Sequence, residues 1–216
     1  MSEAKSAFSS AEYWEARYSR GGNSGAGSYG RLAQFKADFL NTFFEDNKIG
    51  SVLEFGCGDG NQLVYLRPEK YVGFDISPAA VALCRKRHSE NPALSFFSPE
   101  DDADLGQHDV TLSLDVLFHL VEIEVFTTYL RTLFKHSDRF VIIYSSNFDA
   151  PWSHPHLKHR NVTNFVQDHI PGWHLSCLVT NAYPYDSGNA DNTSFSDFMV
   201  FSKPRTPCTV RVPGWE

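Results

Sequence analysis

The chain has 216 residues, 42% hydrophobic and 14% aromatic, with a formal net charge of −7. That is enough apolar mass for one domain, and the acidic balance argues against a general grip on nucleic acid, which needs a basic face. No apolar run approaches the about 20 residues of a membrane span, Met1–Ser10 lacks the pattern of a signal peptide, and the four cysteines, Cys57, Cys84, Cys177 and Cys208, form no C-x-x-C pair. The expectation is therefore a cytoplasmic protein with free thiols and neither a zinc site nor a disulfide framework.

Residues 1–10 read as a loose tail, and Ala11–Tyr18 as a short helix rich in aromatic and charged side chains. Gly21–Gly30 is too glycine-rich for a helix or strand interior; it reads as a lid that orders over a ligand, or as a plain linker. Leu32–Asp46 carries apolar residues at a helical period. Strands are then expected at Ser51–Phe55, Tyr71–Asp75, Leu94–Phe97, Asp109–Leu114 and Phe140–Tyr144. Helices are expected at Asn61–Leu66, Pro78–His88 with Ser77 as N-cap, Val121–Phe134, and Asn161–Ile170 capped by Asn161 or Thr163. Trp173–Thr180 and Phe195–Phe201 are two late strands joined without a helix, and the proline-bearing segment from Pro204 runs along the surface or is disordered. The alternation implies an α/β fold, a doubly wound, mostly parallel seven-stranded sheet with helices on both faces. Residues 1–45 then hold the N-terminal helices and the glycine-rich segment, 46–203 the main domain and 204–216 a tail.

The most specific signal is Leu53-Glu54-Phe55-Gly56-Cys57-Gly58-Asp59-Gly60, followed by Val72-Gly73-Phe74-Asp75-Ile76. Gly56, Gly58 and Gly60 let the backbone turn tightly and come close to a ligand. Asp75 stands where a carboxylate accepts hydrogen bonds from both hydroxyls of a ribose. The spacing is G-x-G-x-G, and Asn61 occupies the position that a dinucleotide site gives to its last glycine. Glu54, two residues before the first glycine, suits a ligand with an ammonium and a sulfonium and no pyrophosphate.

These residues resemble the glycine motif and acidic loop of class I S-adenosylmethionine-dependent methyltransferases of the small-molecule type, over roughly residues 10–203. The resemblance implies a Rossmann-like methyltransferase fold with an antiparallel last strand, and S-adenosylmethionine as cofactor. A nicotinamide-dependent oxidoreductase, against which Asn61 and Glu54 count, and a non-catalytic cofactor-binding partner subunit are the other readings. The resemblance further implies that Asp75 holds the ribose, that Ile76 lies against adenine, and that an acid after the third strand, taken as Asp101, receives the adenine amine; a solvated acidic turn is the alternative there. In Ser113–Leu120 it places Leu114 and Asp115 at the methionine end, facing the acceptor. His119 is then a general base, or a pocket-shaping residue bonded to a neighbouring carbonyl. Tyr13–Tyr18 resembles the N-terminal helix that closes over the cofactor, with Arg17 on the methionine carboxylate and Tyr13 and Trp14 over the sulfonium.

The loop after the fifth strand brings His154, His156, Lys158, His159 and Arg160 within seven residues. It suggests an anionic or carboxylate-bearing acceptor clamped by Arg160. A metal held by the three histidines and Asp149 is the sharper alternative, and no metal is expected. Tyr29 and Tyr185 are assigned to the acceptor wall. The expected activity is in-line methyl transfer to oxygen or nitrogen of a small, polar, anionic metabolite or sugar.

Overall fold

A computed structural model describes residues 8–213 apart from 153 and 155. Its helices are α1 Ser10–Ser19, α2 Gly30–Asp46, α3 Pro78–Arg87, α4 Ile123–Lys135 and α5 Val162–His169. Its strands are β1 Val52–Phe55, β2 Tyr71–Phe74, β3 Leu94–Phe97, β4 His108–Leu114, β5 Ser137–Ser145, β6 His174–Val179 and β7 Asp197–Ser202. They form one sheet in the order β3-β2-β1-β4-β5-β7-β6. The pairs from β3 to β5 are parallel, and β7 runs antiparallel to both β5 and β6. The doubly wound sheet with an antiparallel last strand is thus as expected.

The inner strands are apolar because both of their faces are covered. Phe140, Ile142 and Tyr144 of β5 pack with Phe39 and Phe43 of α2. Val141 and Ile143, pointing the other way, pack with Phe126, Leu130 and Leu133 of α4. The strand order reverses between β1 and β4, which opens a crevice at their carboxyl ends.

Three expectations are corrected. Asn61–Leu66 is not a helix; only a short 3₁₀ turn forms at Gln62–Tyr65, and Pro68, which has no amide donor and biases the residue before it toward extended backbone, bars a longer one. The helix expected from Val121 begins at Ile123, and Leu117–His119 is a separate 3₁₀ turn. Residues 1–7 of the expected loose tail lie outside the described residues, but Ser10 is no part of a tail: it is buried and opens α1, with its backbone N–H and hydroxyl both bonded to Glu122. The segment after Pro204 does run along the surface as far as residue 213. It is fastened to the C-terminal end of α2 by paired hydrogen bonds between Asn47 and Thr209; residues 214–216 lie outside the described residues.

Candidate active site

A cavity of about 330 Å³ occupies the crevice. Its floor is the turn after β1. Gly56 takes a φ of +79° and Gly58 a φ of +57°, a region open to glycine and strained for other residues. A Cβ on Gly58 would lie 2.3 Å from Ser24 Oγ, so the turn must be bare for the glycine-rich segment to rest on it. Asp75, at the end of β2, accepts hydrogen bonds from the backbone N–H of Gly58 and of Ser77, both at 2.9 Å. Burial pushes its carboxyl up to about 6, against the pull of those two bonds. Glu54 is also buried in the wall and raised by that burial to about 7, while the Tyr71 hydroxyl, bonded at 2.6 Å, acts the other way.

The roof is α1 and the glycine-rich segment. Trp14 and Tyr18 line the cavity from above. Ser10 at one end of α1 is held by Glu122, and Glu15 in its middle accepts from the Ser77 hydroxyl at the N-terminus of α3. The segment itself is fastened to Asp59, which receives the Ser24 hydroxyl at 2.9 Å and the Tyr29 hydroxyl at 2.5 Å. Asp59 is buried, which acts to raise its carboxyl, but these bonds and the Asn61 N–H hold it below the usual range.

The far wall is the end of β4. Asp115 has a φ of +58°, which is unusual for a residue with a side chain. Its carboxylate accepts from Lys36 Nζ at 2.7 Å and from the Ser196 hydroxyl at 2.9 Å. Lys36 is fully buried on the apolar face of α2, so the pair is mutually dependent: either charge alone would be costly there. His119 directs Nδ1 at the carbonyl of His156, at 3.4 Å. A carbonyl only accepts, so Nδ1 carries the hydrogen and Nε2 is the basic nitrogen. Burial lowers this imidazole to about 4, so it is neutral at physiological pH.

A model of the methyltransferase domain family matches residues 29–180, more than half of the chain. The chain belongs to the class I S-adenosylmethionine-dependent methyltransferases. Solved structures share the fold. Magnesium protoporphyrin IX methyltransferase ChlM from Synechocystis PCC 6803, with bound SAM, superposes with a TM-score of 0.64 at 17% identity, covering 93% of this chain and 100% of that one. The N-methyltransferase NodS from Bradyrhizobium japonicum WM9, in complex with S-adenosyl-L-homocysteine, gives 0.69 at 14% identity, covering 90% and 98%. A curated relative, the phthiotriol/phenolphthiotriol dimycocerosates methyltransferase of Mycobacterium leprae (strain TN), is 43% identical over 49 residues, 21% of this chain and 18% of that protein. The matched stretch thus spans less than a fifth of that relative's length.

Within the methyltransferase, the structure brings Trp14, Glu54, Gly56, Gly58, Asp75, Ile76, Leu114, Asp115 and His119 to one cavity. Gly60 lies behind it, with a φ of +71° where α3 packs close. Several expected site residues are engaged elsewhere. Asp101 closes a capping box with the N–H and hydroxyl of Ser98 and bonds Arg85 at 2.7 Å, which together hold it down at about 2; it does not line the cavity. Arg17 donates to the Asn23 carbonyl at 2.7 Å. Tyr13 stacks on His156, ring centroids 5.1 Å apart, outside the cavity lining. Tyr29 bonds Asp59, so it fastens the roof, and it does not line the cavity.

The basic loop is the largest departure. Arg160 donates to the carbonyls of Leu120 and Val121, both at 2.7 Å, and lies over the Phe126 ring. It braces the backbone directly after the turn that carries His119, and it does not line the cavity. His159 is buried among Phe118, Phe148, Trp152 and Phe195, with Nδ1 on the Ser146 hydroxyl. Burial lowers both His156 and His159, so neither brings a lasting positive charge. His154 is exposed beside His156, and Tyr185 is exposed against Trp152 and Phe195. No group of potential metal ligands gathers among the described residues; Asp149 accepts from the Asn161 N–H instead.

The residues that sequence reasoning missed are Lys36, Asp59, Gln62 and Glu122. Lys36 had a readable signal, a charge at helical spacing between Leu32 and Leu40 on an apolar face. Asp59 sits inside the glycine motif itself. Glu122 gives none, because its partner Ser10 is 112 positions away.

Proposed function

We propose that this protein transfers a methyl group from S-adenosylmethionine to oxygen or nitrogen of a small molecule that binds uncharged or as a cation. The observation that carries the acceptor class is the charge of the cavity wall. Glu54, Asp75, Asp115 and Glu122 line it, and no lysine or arginine does so among the described residues. With Arg160 engaged by backbone carbonyls and burial favouring the neutral form of His119, His156 and His159, the expected anion clamp loses Arg160 and two of its histidines. A carboxylate-bearing acceptor would find no cation lining the cavity to pair with, and Lys36 is already taken by Asp115.

The residues present fit the cofactor. Asp75, Ile76 and Glu54 line the cavity near the carboxyl ends of β1 and β2, where Asp75 would hold the ribose hydroxyls, Ile76 would lie against the adenine and Glu54 would face the ammonium. Bound there, S-adenosylmethionine supplies a methyl carbon on a sulfonium, an electrophile that needs no covalent help from the protein. The chain's own task is alignment and exclusion of water. Trp14 and Tyr18 close the roof, Asp115 is immobilised by Lys36 and Ser196, and neutral His119 offers Nε2 to a donor hydrogen on the acceptor. A protonated amine must first lose its proton to solvent, because at pKa about 4 His119 is too weak a base to hold it; a neutral amine attacks with its lone pair, and the proton that it or a hydroxyl sheds as the methyl group arrives passes to solvent.

Calorimetry tests the cofactor: S-adenosylmethionine and S-adenosylhomocysteine should bind and NAD should not. A matched series tests the acceptor class: tyramine, 4-ethylphenol and 3-(4-hydroxyphenyl)propionate share one skeleton and differ in charge. In the presence of S-adenosylhomocysteine, the propionate should bind weakest. Preferred binding of the propionate would restore the anionic acceptor.

A further inference from the structure

Among the described residues, five buried side-chain polar atoms have no hydrogen-bond partner, and of their residues only Gln62 lines the cofactor cavity. Gln62 is 5% exposed and sits on the 3₁₀ turn directly after the glycine motif. Its amide cannot be turned round. Nε2 lies 3.0 Å from the backbone carbonyl of Ala33, in α2. A carbonyl only accepts, so the amide nitrogen must face it; the flipped rotamer would set two oxygens against each other. The unpartnered atom is therefore Oε1, an acceptor. Native proteins leave few such atoms, since burying an acceptor without a donor is costly.

We infer that Gln62 recognises the amino-acid end of the cofactor, its Oε1 accepting an N–H of the cofactor's ammonium; the inference rests on the S-adenosylmethionine reading given above. Two observations select the ammonium among the cofactor's donors. First, Gln62 and Asp75 both line the cavity but are anchored to different elements. Gln62 is tied to α2 through Ala33, whereas Asp75 is tied to the N-terminal end of α3 through Ser77. The ribose belongs with Asp75 and the adenine with Ile76, the next residue, so the α2 side is left for the other end of the molecule. Second, Glu54 supplies the counter-charge. It too lines the cavity, is held in place by the Tyr71 hydroxyl, and feels Lys36 of α2. An ammonium has three donors and no acceptor. A fixed carboxylate and a fixed amide oxygen satisfy two of them with one charge, which avoids a second carboxylate in an already acidic wall.

The test needs two ligands and no acceptor. S-Adenosylhomocysteine carries the amino-acid end; 5′-methylthioadenosine lacks it. In Gln62→Met, calorimetry should show S-adenosylhomocysteine weakened at least tenfold and 5′-methylthioadenosine changed less than twofold. Equal weakening of both, or none for S-adenosylhomocysteine, overturns the inference and leaves the cofactor reading standing. A wild-type protein that binds neither ligand overturns both. Should Gln62→Met not fold, the side-chain amide resonance of Gln62 in the wild-type protein carries the test. It should move on addition of S-adenosylhomocysteine and stay in place with 5′-methylthioadenosine; comparable movement with both overturns the inference.

Discussion

The turn after β1 and the loop after β5 both looked like binding sites for reasons of residue type, and they use their polar groups in opposite ways. Around the turn, the residues that line the cavity carry acceptors: Glu54 is buried with one oxygen on Tyr71, Asp75 is held by two backbone N–H groups, and Gln62 Oε1 has no donor. In the loop, the donors turn inward. Arg160 takes two carbonyls and His159 takes Ser146. The difference lies in reach. A glycine turn fixes its neighbours' directions through its own backbone, so the sequence carries the geometry. A long arginine side chain can swing to any carbonyl within several ångströms, and which one it finds is decided by the tertiary fold.

The largest effect should come from a cation that serves the cavity without lining it. Lys36→Met leaves Asp115 unpaired in a nearly dry setting, which costs on the order of 3–5 kcal/mol. A melting temperature lowered by about 6–20 °C is expected, and little change would show that Asp115 finds another partner. Asp75→Ala and Arg160→Ala separate the two regions directly. The first should weaken S-adenosylhomocysteine by about 1–3 kcal/mol, the scale of hydrogen bonds to a charged group. The second should lower stability by about 2 kcal/mol, or about 4–8 °C, with cofactor affinity altered far less. If Arg160→Ala instead kept its melting temperature and lost an acceptor, the loop would be a clamp after all.

A smaller effect concerns pH. Glu54 rises from 4.5 to about 7 and Asp75 from 3.8 to about 6, both through burial. Carboxyls raised on folding stabilise the protein fully below their unfolded values and lose that contribution as pH climbs through the folded ones. As pH rises from about 4 to 7 these two groups therefore take stability away from the ligand-free fold. His119, lowered from 6.5 to about 4 by burial, contributes in the opposite sense, its stabilisation fading as pH falls across that range. A ligand ammonium favours ionised Glu54, so S-adenosylhomocysteine binding near pH 6.5 should release protons. Calorimetry in buffers of different ionisation enthalpy reads this directly, and Glu54→Gln should remove most of it. Proton uptake would show that the acids bind in their neutral form.

The roof gives a weaker signal still. Asp59→Asn removes the charge that receives Ser24 and Tyr29, so proteolysis between Gly21 and Gly30 should speed up severalfold in the free protein and slow when S-adenosylhomocysteine is added. Cleavage indifferent to both variant and ligand would make the segment a plain linker.

Most of the fold was legible in the sequence. The seven strands showed as apolar runs, and Ser77 and Asn161 announced their helices as N-caps, accepting from Ala80 and Asn164. What was not legible depends on contacts distant in sequence. Lys36 meets Asp115 across 79 positions and Arg160 meets Leu120 across 40; no local pattern encodes either. Gln62 was hidden differently. Read as part of a helix, it had no assigned direction, and only the 3₁₀ turn that stops short of Pro68 points it between α2 and the cavity.

The smallest expected effect is at Asp101, where local chemistry competes with the inferred role. The resemblance to other methyltransferases puts an acid for the adenine amine in this loop, and Asp101 is the right type in the right place. Yet Ser98-Pro99-Glu100-Asp101 is also a capping box, with serine first and an acid three residues on. The same carboxylate cannot turn to the cavity while it holds the Ser98 N–H at 2.7 Å and Arg85 at 2.7 Å, and those bonds keep it ionised down to about pH 2. Asp101→Ala should therefore loosen the loop and slightly lower the melting temperature, while S-adenosylhomocysteine affinity stays within about twofold, as expected for sites that do not share partners. Arg85→Met, which removes one of the two holders, should likewise leave the affinity unchanged. A tenfold loss in Asp101→Ala alone would mean that the carboxylate leaves the capping box when the cofactor arrives, and that this loop, like the loop after β5, cannot be read from its ligand-free hydrogen bonds.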